Sequence, residues 1–162
     1  MERLWAPWRA EYIMKNPACE KGGCLFCRLK RSRNDRDNLV LFRGRTALVV
    51  MNRFPYNSGH LMVAPLRHTA SIELLKPGEA AELLTLIGRC VRALKREYKP
   101  QGFNIGANLG AVAGAGVPGH LHFHIVPRWQ GDTNFMPLLG ETKVVSEHLR
   151  TTYDRLKPRF QR

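Results

Sequence analysis

Three histidines, His120, His122 and His124, alternate with Leu121, Phe123 and Ile125 in the stretch GHLHFHIVPRW from Gly119 to Trp129. Strict alternation with aromatic and branched residues predicts a strand. Residues i, i+2 and i+4 of a strand line one face, so one face carries three imidazoles and the other carries core. At about 3.3 Å per residue, His120 and His124 stand roughly 13 Å apart, too far to share one metal ion easily. The row therefore reads as a set of different jobs. A neutral imidazole near pH 7 can act as a nucleophile, a hydrogen-bond donor or a metal ligand. Three on one face are costly to bury and pointless to expose, which sets them apart from a lone solvated histidine.

A second constellation is Cys24-Leu25-Phe26-Cys27. The C-x-x-C spacing is half of many zinc sites, and redox pairs share it. A redox role wants a strand before the pair and a helix after it. Gly22-Gly23 and charged residues precede it here, which favours metal. Cys19 is a substitute ligand at no fixed spacing.

HLHFHIVPRW resembles the signature of the histidine triad family, His-x-His-x-His-x-x with apolar x. The resemblance extends through ALVVMNRFPYNSGHLMVAPLRH, the N-terminal LWAPWRAEYI and the downstream QGDTNF, and so covers most of the chain. It is nearest the branch of diadenosine tetraphosphate phosphorylases and hydrolases, and more distant from galactose-1-phosphate uridylyltransferase. The resemblance implies that His122 attacks the α-phosphorus of a nucleotide and forms a nucleotidyl-histidine intermediate. It implies that His124 donates hydrogen bonds to the phosphate or leaving group. His120 would join Cys24, Cys27 and His68 around a zinc ion and orient its neighbours. Four such ligands close a site, so the zinc would be structural. Asn52 would contact the ribose. A divalent cation could accompany the nucleotide. Some family members carry Ser or Thr in the loop before the triad. The loop here reads AGAGVPG, so the choice between water and phosphate as acceptor stays open.

Several elements must position these residues. Leu39–Phe42, Thr46–Met51 and His60–Pro65 read as strands, with the Pro/Gly/Asn loop NRFPYNSG before the last. Lys76 to Tyr98 reads as the one long helix. Pro77 suits its first position and Glu79 its positive end. Ala80, Leu83, Leu84, Ile87, Val91 and Leu94 form its apolar stripe, with Cys90 beside it as small core. Gln101 to Leu109 alternates again; paired with the histidine strand, it would let Asn108 help present the substrate. The connection Gly110 to Gly119 has no side chain larger than valine, so main-chain N–H groups around Gly116 could approach a phosphate. Leu149, Tyr153 and Leu156 give the tail helical spacing. The expected fold class is α+β: an antiparallel sheet of about five strands with the long helix on one face.

Composition bounds the partners. The 162 residues suit one domain, divided into an N-terminal arm (1–38), a core (39–135) and a tail (136–162). Trp5 and Trp8 predict an arm docked on the body or on a second subunit, and the family resemblance implies a homodimer. No apolar run approaches a membrane span and the N-terminus is no signal peptide, so the expected location is cytoplasmic. With four cysteines and no secretory context, thiols or metal ligands are expected rather than a disulfide framework. A net charge of +13 attracts polyanions, nucleotides and nucleic acid alike. The basic residues are dispersed and not interleaved with aromatics, which argues against a specific nucleic-acid module. Two alternatives to dinucleotide cleavage stand: hydrolysis of phosphoramidates or adenylyl conjugates, and a basic nucleotide- or RNA-binding module without catalysis.

Overall fold

The computed structural model describes residues 23–132 and 147–161; the tryptophan-bearing segment, Cys19 and Thr133 to Phe135 lie outside them. Five strands, β1 (Val40–Arg43), β2 (Ala47–Met51), β3 (Leu61–Pro65), β4 (Gly102–Gly106) and β5 (Phe123–Arg128), form one antiparallel sheet ordered β1-β2-β3-β5-β4. Among the described residues the helices are α1 (Leu25–Arg31), α2 (Pro77–Tyr98) and α3 (Leu149–Leu156), followed by a 3-10 turn over Lys157–Phe160. The expected α+β architecture is the one found.

β2 and β3 are buried along their whole length, because each face of the sheet meets its own core. On one face Leu83, Ile87, Cys90 and Leu94 of α2 pack against Val49, Leu61, Val63 and Ile125, with Tyr153, Leu156 and Phe160 extending the layer. On the other face Phe26 and Leu29 of α1 pack on Val40, Leu48, Val50, Met62 and Ala64. This short helix was not expected. Seven residues rich in Arg and Lys carry only one i, i+3 apolar pair, too little for a visible period. Leu84 leaves the expected stripe of α2 and is 69% exposed, while Leu86 and Ala93 are buried in its place.

The start of α2 is tied to β3. Glu79 accepts from the Lys76 main-chain N–H at 3.0 Å and from Arg67 Nε and Nη2 at 2.8 and 2.7 Å, so one carboxylate caps the helix and anchors the residue before His68. The helix ends at Lys99 in left-handed geometry, before Pro100.

The histidine row departs from the expectation of one continuous strand. β5 begins at Phe123, leaving His120 and His122 in irregular backbone ahead of it. The β3 ladder pairs Leu61, Met62 and Val63 with Ile125, His124 and Phe123 and goes no further. Beyond it, His120 N–H bonds Val117 O at 3.1 Å and Leu121 N–H bonds Thr69 O at 2.6 Å. A turn and a loop have replaced the ladder partners.

The two sheet edges differ. On β1, Val40 O accepts from Tyr153 Oη and Lys157 Nζ at 3.2 and 3.0 Å, so the tail covers that edge. β4 is half-buried at its start and exposed from Asn104 to Gly106. No described helix is long and apolar enough to cross a membrane.

Candidate functional site

The histidine face is more enclosed than an exposed row would be. His120 and His122 are 1% and 3% exposed. Both rings lie 5.0 Å from Phe26, so α1 forms their lid. Burial lowers the pKa of each below the ordinary histidine value, which keeps both neutral at pH 7. His122 Nδ1–H donates to its own neighbour's carbonyl, His120 O, at 2.8 Å. That contact fixes the tautomer and leaves a lone pair on Nε2. The ring is thus neutral and oriented, with an unprotonated nitrogen of the kind a nucleophile needs.

His124 is set by a chain of contacts that begins in the loop before β3. The Tyr56 main-chain N–H donates to His60 Nδ1 at 3.1 Å, and Asn52 Nδ2 approaches the same nitrogen at 3.3 Å. The proton of a neutral His60 therefore sits on Nε2, which faces His124 Nδ1 at 3.0 Å. His124 accepts there and carries its own proton on Nε2. His60 is buried at 1% exposure, and Tyr56 stacks on it at 5.0 Å with 15° between planes. Gly59 sets up this turn. Its φ is +81°, and a Cβ there would lie 2.8 Å from Leu94 Cδ2. In the sequence His60 reads only as the start of a strand.

At the other end of the row, Cys24, Cys27, His68 and His120 each present a ligand atom, and all four lie within 4.8 Å of one another. His120 Nδ1 is 3.1 Å from Cys24 Sγ and 3.8 Å from Cys27 Sγ, and His68 Nδ1 is 3.4 Å from Cys27 Sγ. A tetrahedron of thiolates and imidazoles at zinc distances has edges of about 3.3–3.8 Å, so the set fits such an ion. His120 Nε2–H donates to Pro65 O at 2.8 Å, which turns its Nδ1 lone pair toward the thiols. Cys24 is the N-cap of α1 and Cys27 lies in its first turn, so the helix, β3 and the histidine row converge here. The four expected ligands are brought together.

Beyond His124 the same face continues through Val126 and Arg128, with Gly106 and Asn104 opposite His124 and Val126 on β4. These residues with Tyr56, Asn57 and Asn108 bound a cavity of about 480 Å³. Arg128 donates to Asp132 at 2.6 and 2.8 Å and to Asn104 Oδ1 at 2.7 Å. The guanidinium holds the Asp132 carboxyl well below the usual aspartate range. Asn57 Nδ2 donates to Pro127 O and to Asp132 at 3.0 and 2.8 Å, tying the loop to β5. Asn108 lines the cavity and donates to Gly114 O at 3.2 Å. Asn52 accepts from Phe54 N–H at 2.9 Å and meets His60 Nδ1 through its Nδ2 at 3.3 Å. Gly116 lies in the loop between Asn108 and the row and is not part of the cavity wall.

A five-stranded antiparallel sheet with two oriented neutral imidazoles on one face, and a two-cysteine, two-histidine cluster beside them, defines a class of proteins built around a row of histidines. The chain belongs to the HIT domain family, whose description matches residues 33–131. It is 39% identical over 158 residues to a Mycobacterium tuberculosis protein named AP-4-A phosphorylase, spanning 94% of this chain and 80% of that one. A Schizosaccharomyces pombe protein named bis(5'-nucleosyl)-tetraphosphatase [asymmetrical] is 31% identical over 93 residues, spanning 57% and 50%. A Zn-bound histidine triad family protein from Mycobacterium smegmatis shares the fold, with a TM-score of 0.66 at 24% identity over 84% of this chain and 91% of that one.

Proposed function

We propose that the protein is a nucleotidyl-transfer enzyme that cleaves dinucleoside polyphosphates such as diadenosine tetraphosphate. The observation that carries this reading is the pair of tautomers on one face: a lone pair on His122 Nε2 beside a proton on His124 Nε2. His122 Nε2 attacks the α-phosphorus. An N–P bond forms, the bond from that phosphorus to the bridging oxygen breaks, and nucleoside triphosphate leaves. The leaving oxygen belongs to a phosphate chain whose negative charge is stable at neutral pH. It needs a hydrogen bond rather than a proton, and a neutral His124 supplies one. An acceptor oxygen then attacks the same phosphorus, the N–P bond breaks and His122 is restored. Kinship to a protein named as a phosphorylase favours inorganic phosphate as that acceptor. Asn52 contacts the ribose, and Asn108 with main-chain N–H groups around Gly116 meets phosphate oxygens.

The same proposal places a structural zinc at Cys24, Cys27, His68 and His120, where it ties α1 to the histidine row. When bound, the ion holds these four side chains in place; the chemistry stays with His122 and His124. A reducing compartment suits this thiolate set, and we assign the protein to the cytoplasm. The whole chain acts as one domain, and two copies join across their β4 edges. The contrast between the covered β1 edge and the exposed β4 edge supports that dimer. Light scattering should give about twice 18.5 kDa, and Ile105→Pro should halve it. A wild-type mass of one chain at low concentration refutes the dimer.

Product analysis tests the reaction. With diadenosine tetraphosphate, magnesium and inorganic phosphate, the products expected are ATP and ADP. Without phosphate, AMP should replace ADP or turnover should stop. Failure to consume any dinucleotide, with nucleotide still bound, overturns the enzyme reading and leaves a binding module.

A further inference from the structure

We propose that the cavity beyond His124 receives the second nucleoside of the substrate, the half released as leaving group, and that Asn104 and Gly106 thereby set a preference for dinucleotides over singly capped polyphosphates. The inference rests on the nucleotidyl-transfer reading and adds a subsite to it.

Position is the first ground. His124, Val126 and Arg128 stand at i, i+2 and i+4 on one face of β5. The cavity thus begins beside the leaving-group donor and runs about 13 Å further from the nucleophile. A phosphate chain departing past His124 is led along this face.

Charge is the second ground. The one guanidinium in the wall, Arg128, is bound on two nitrogens by Asp132 and on the third by Asn104 Oδ1. Its charge is answered within the protein. A phosphate would find no unanswered cation in the wall. A nucleobase, which is neutral, planar and rich in donors and acceptors, fits that balance better.

The remaining groups are those a base edge needs. Asn104 uses its carbonyl oxygen on Arg128 and has no partner for its Nδ2 among the described residues. Asn57 uses its Nδ2 on Pro127 and Asp132 and has none there for its Oδ1. One amide donor and one amide acceptor, each held by a bond at its other end, therefore remain for a ligand. Val126 and the Tyr56 ring, itself stacked on His60, supply flat apolar surface. The floor is open because position 106 is glycine. It stands opposite His124, and a Cβ built on it meets no protein atom within 4 Å. A larger residue there intrudes on the cavity without clashing with the chain.

The test compares diadenosine tetraphosphate with adenosine 5'-tetraphosphate. The two share the transferred nucleotide and the phosphate chain, and only the first has a second nucleoside. The wild-type protein is expected to prefer the dinucleotide in kcat/KM by at least tenfold. Gly106→Val and Asn104→Ala should each remove most of that preference by raising KM for the dinucleotide, with the singly capped substrate turned over as before. Equal loss on both substrates, no loss on either, or a wild type without preference overturns the subsite while leaving the reaction intact. A wild type that cleaves neither substrate overturns the reaction itself, and the subsite with it.

Discussion

His60 Nε2 lies 3.0 Å from His124 Nδ1, and the main-chain N–H of Tyr56 closes the other side of the His60 ring at 3.1 Å. Only one assignment of protons to neutral rings satisfies both contacts. A backbone amide in the loop before β3 thereby decides that His124 presents an N–H at Nε2. In the proposed reaction His60 acts through another side chain, as a positioning residue.

Replacing His60 by alanine should therefore lower kcat about 10²-fold, the scale on which a preorganised donor to developing charge acts, with little change in nucleotide binding. His60→Gln, which can offer an amide N–H near the same place, should recover part of the loss. Nitrogen NMR of the wild type should find His124 protonated at Nε2. A wild-type His124 protonated at Nδ1 contradicts the relay, and so does a His60→Ala variant with unchanged kcat.

The triad and the cysteine pair were legible because alternation and short spacing are local signals. The long helix was legible because Pro77, Glu79 and the three-and-four spacing agree with one another. Long-range relationships left no such trace. His60 meets His124 only because β3 and β5 pair in one register. α1 is too short to declare a period, yet its Phe26 covers two of the three histidines. The break in the triad strand could not be read from alternation, since His120 and His122 keep the pattern while Thr69 and Val117 take the hydrogen bonds of the ladder. The cavity beyond His124 depends on a loop, two strand faces and the absence of a side chain at Gly106, which no local pattern encodes.

The Cys24, Cys27, His68 and His120 cluster leads to a prediction about metal. Purified protein should hold one zinc per chain. Cys24→Ser and His68→Ala should each lose it and lower Tm by on the order of 10 °C, since a bound ion adds its binding free energy to folding. Burial and the neighbouring Cys24 raise the Cys27 thiol above its ordinary pKa, so a cation is needed to hold it as thiolate. Full stability in a strong chelator, with no zinc detected, would exclude the site.

Glu79 predicts the acid limb of stability. The Arg67 guanidinium, and then the Lys76 main-chain N–H, lower its carboxyl from 4.5 to about 2. A carboxyl depressed in the folded state stabilises it above the ordinary value, and that contribution fades as pH falls from about 4.5 toward about 2. Glu79→Gln should be less stable than wild type at pH 7, and the gap should close across this window. Urea midpoints measured against pH provide the check. Parallel curves for the two proteins would show that the Arg67 contact does not depend on the charge of Glu79.

His122 carries the most exposed prediction. Its Nε2 bonds phosphorus in the proposed reaction, whereas ground-state affinity comes mostly from other contacts. His122→Ala should abolish turnover while leaving nucleotide binding nearly intact. His124→Ala should slow turnover without ending it, because one hydrogen bond to developing charge is worth about 3–4 kcal/mol. Protonation of Nε2 blocks attack, and burial lowers the pKa of the ring below 6.5. Activity should accordingly hold as pH falls through 6.5 and fail only at lower pH. Rapid quenching with labelled substrate should trap a nucleotide on the protein that is labile to acid and stable to base, as an N–P bond on imidazole requires. Label mapped to any residue other than His122, or near-normal turnover by His122→Ala, would reassign the nucleophile.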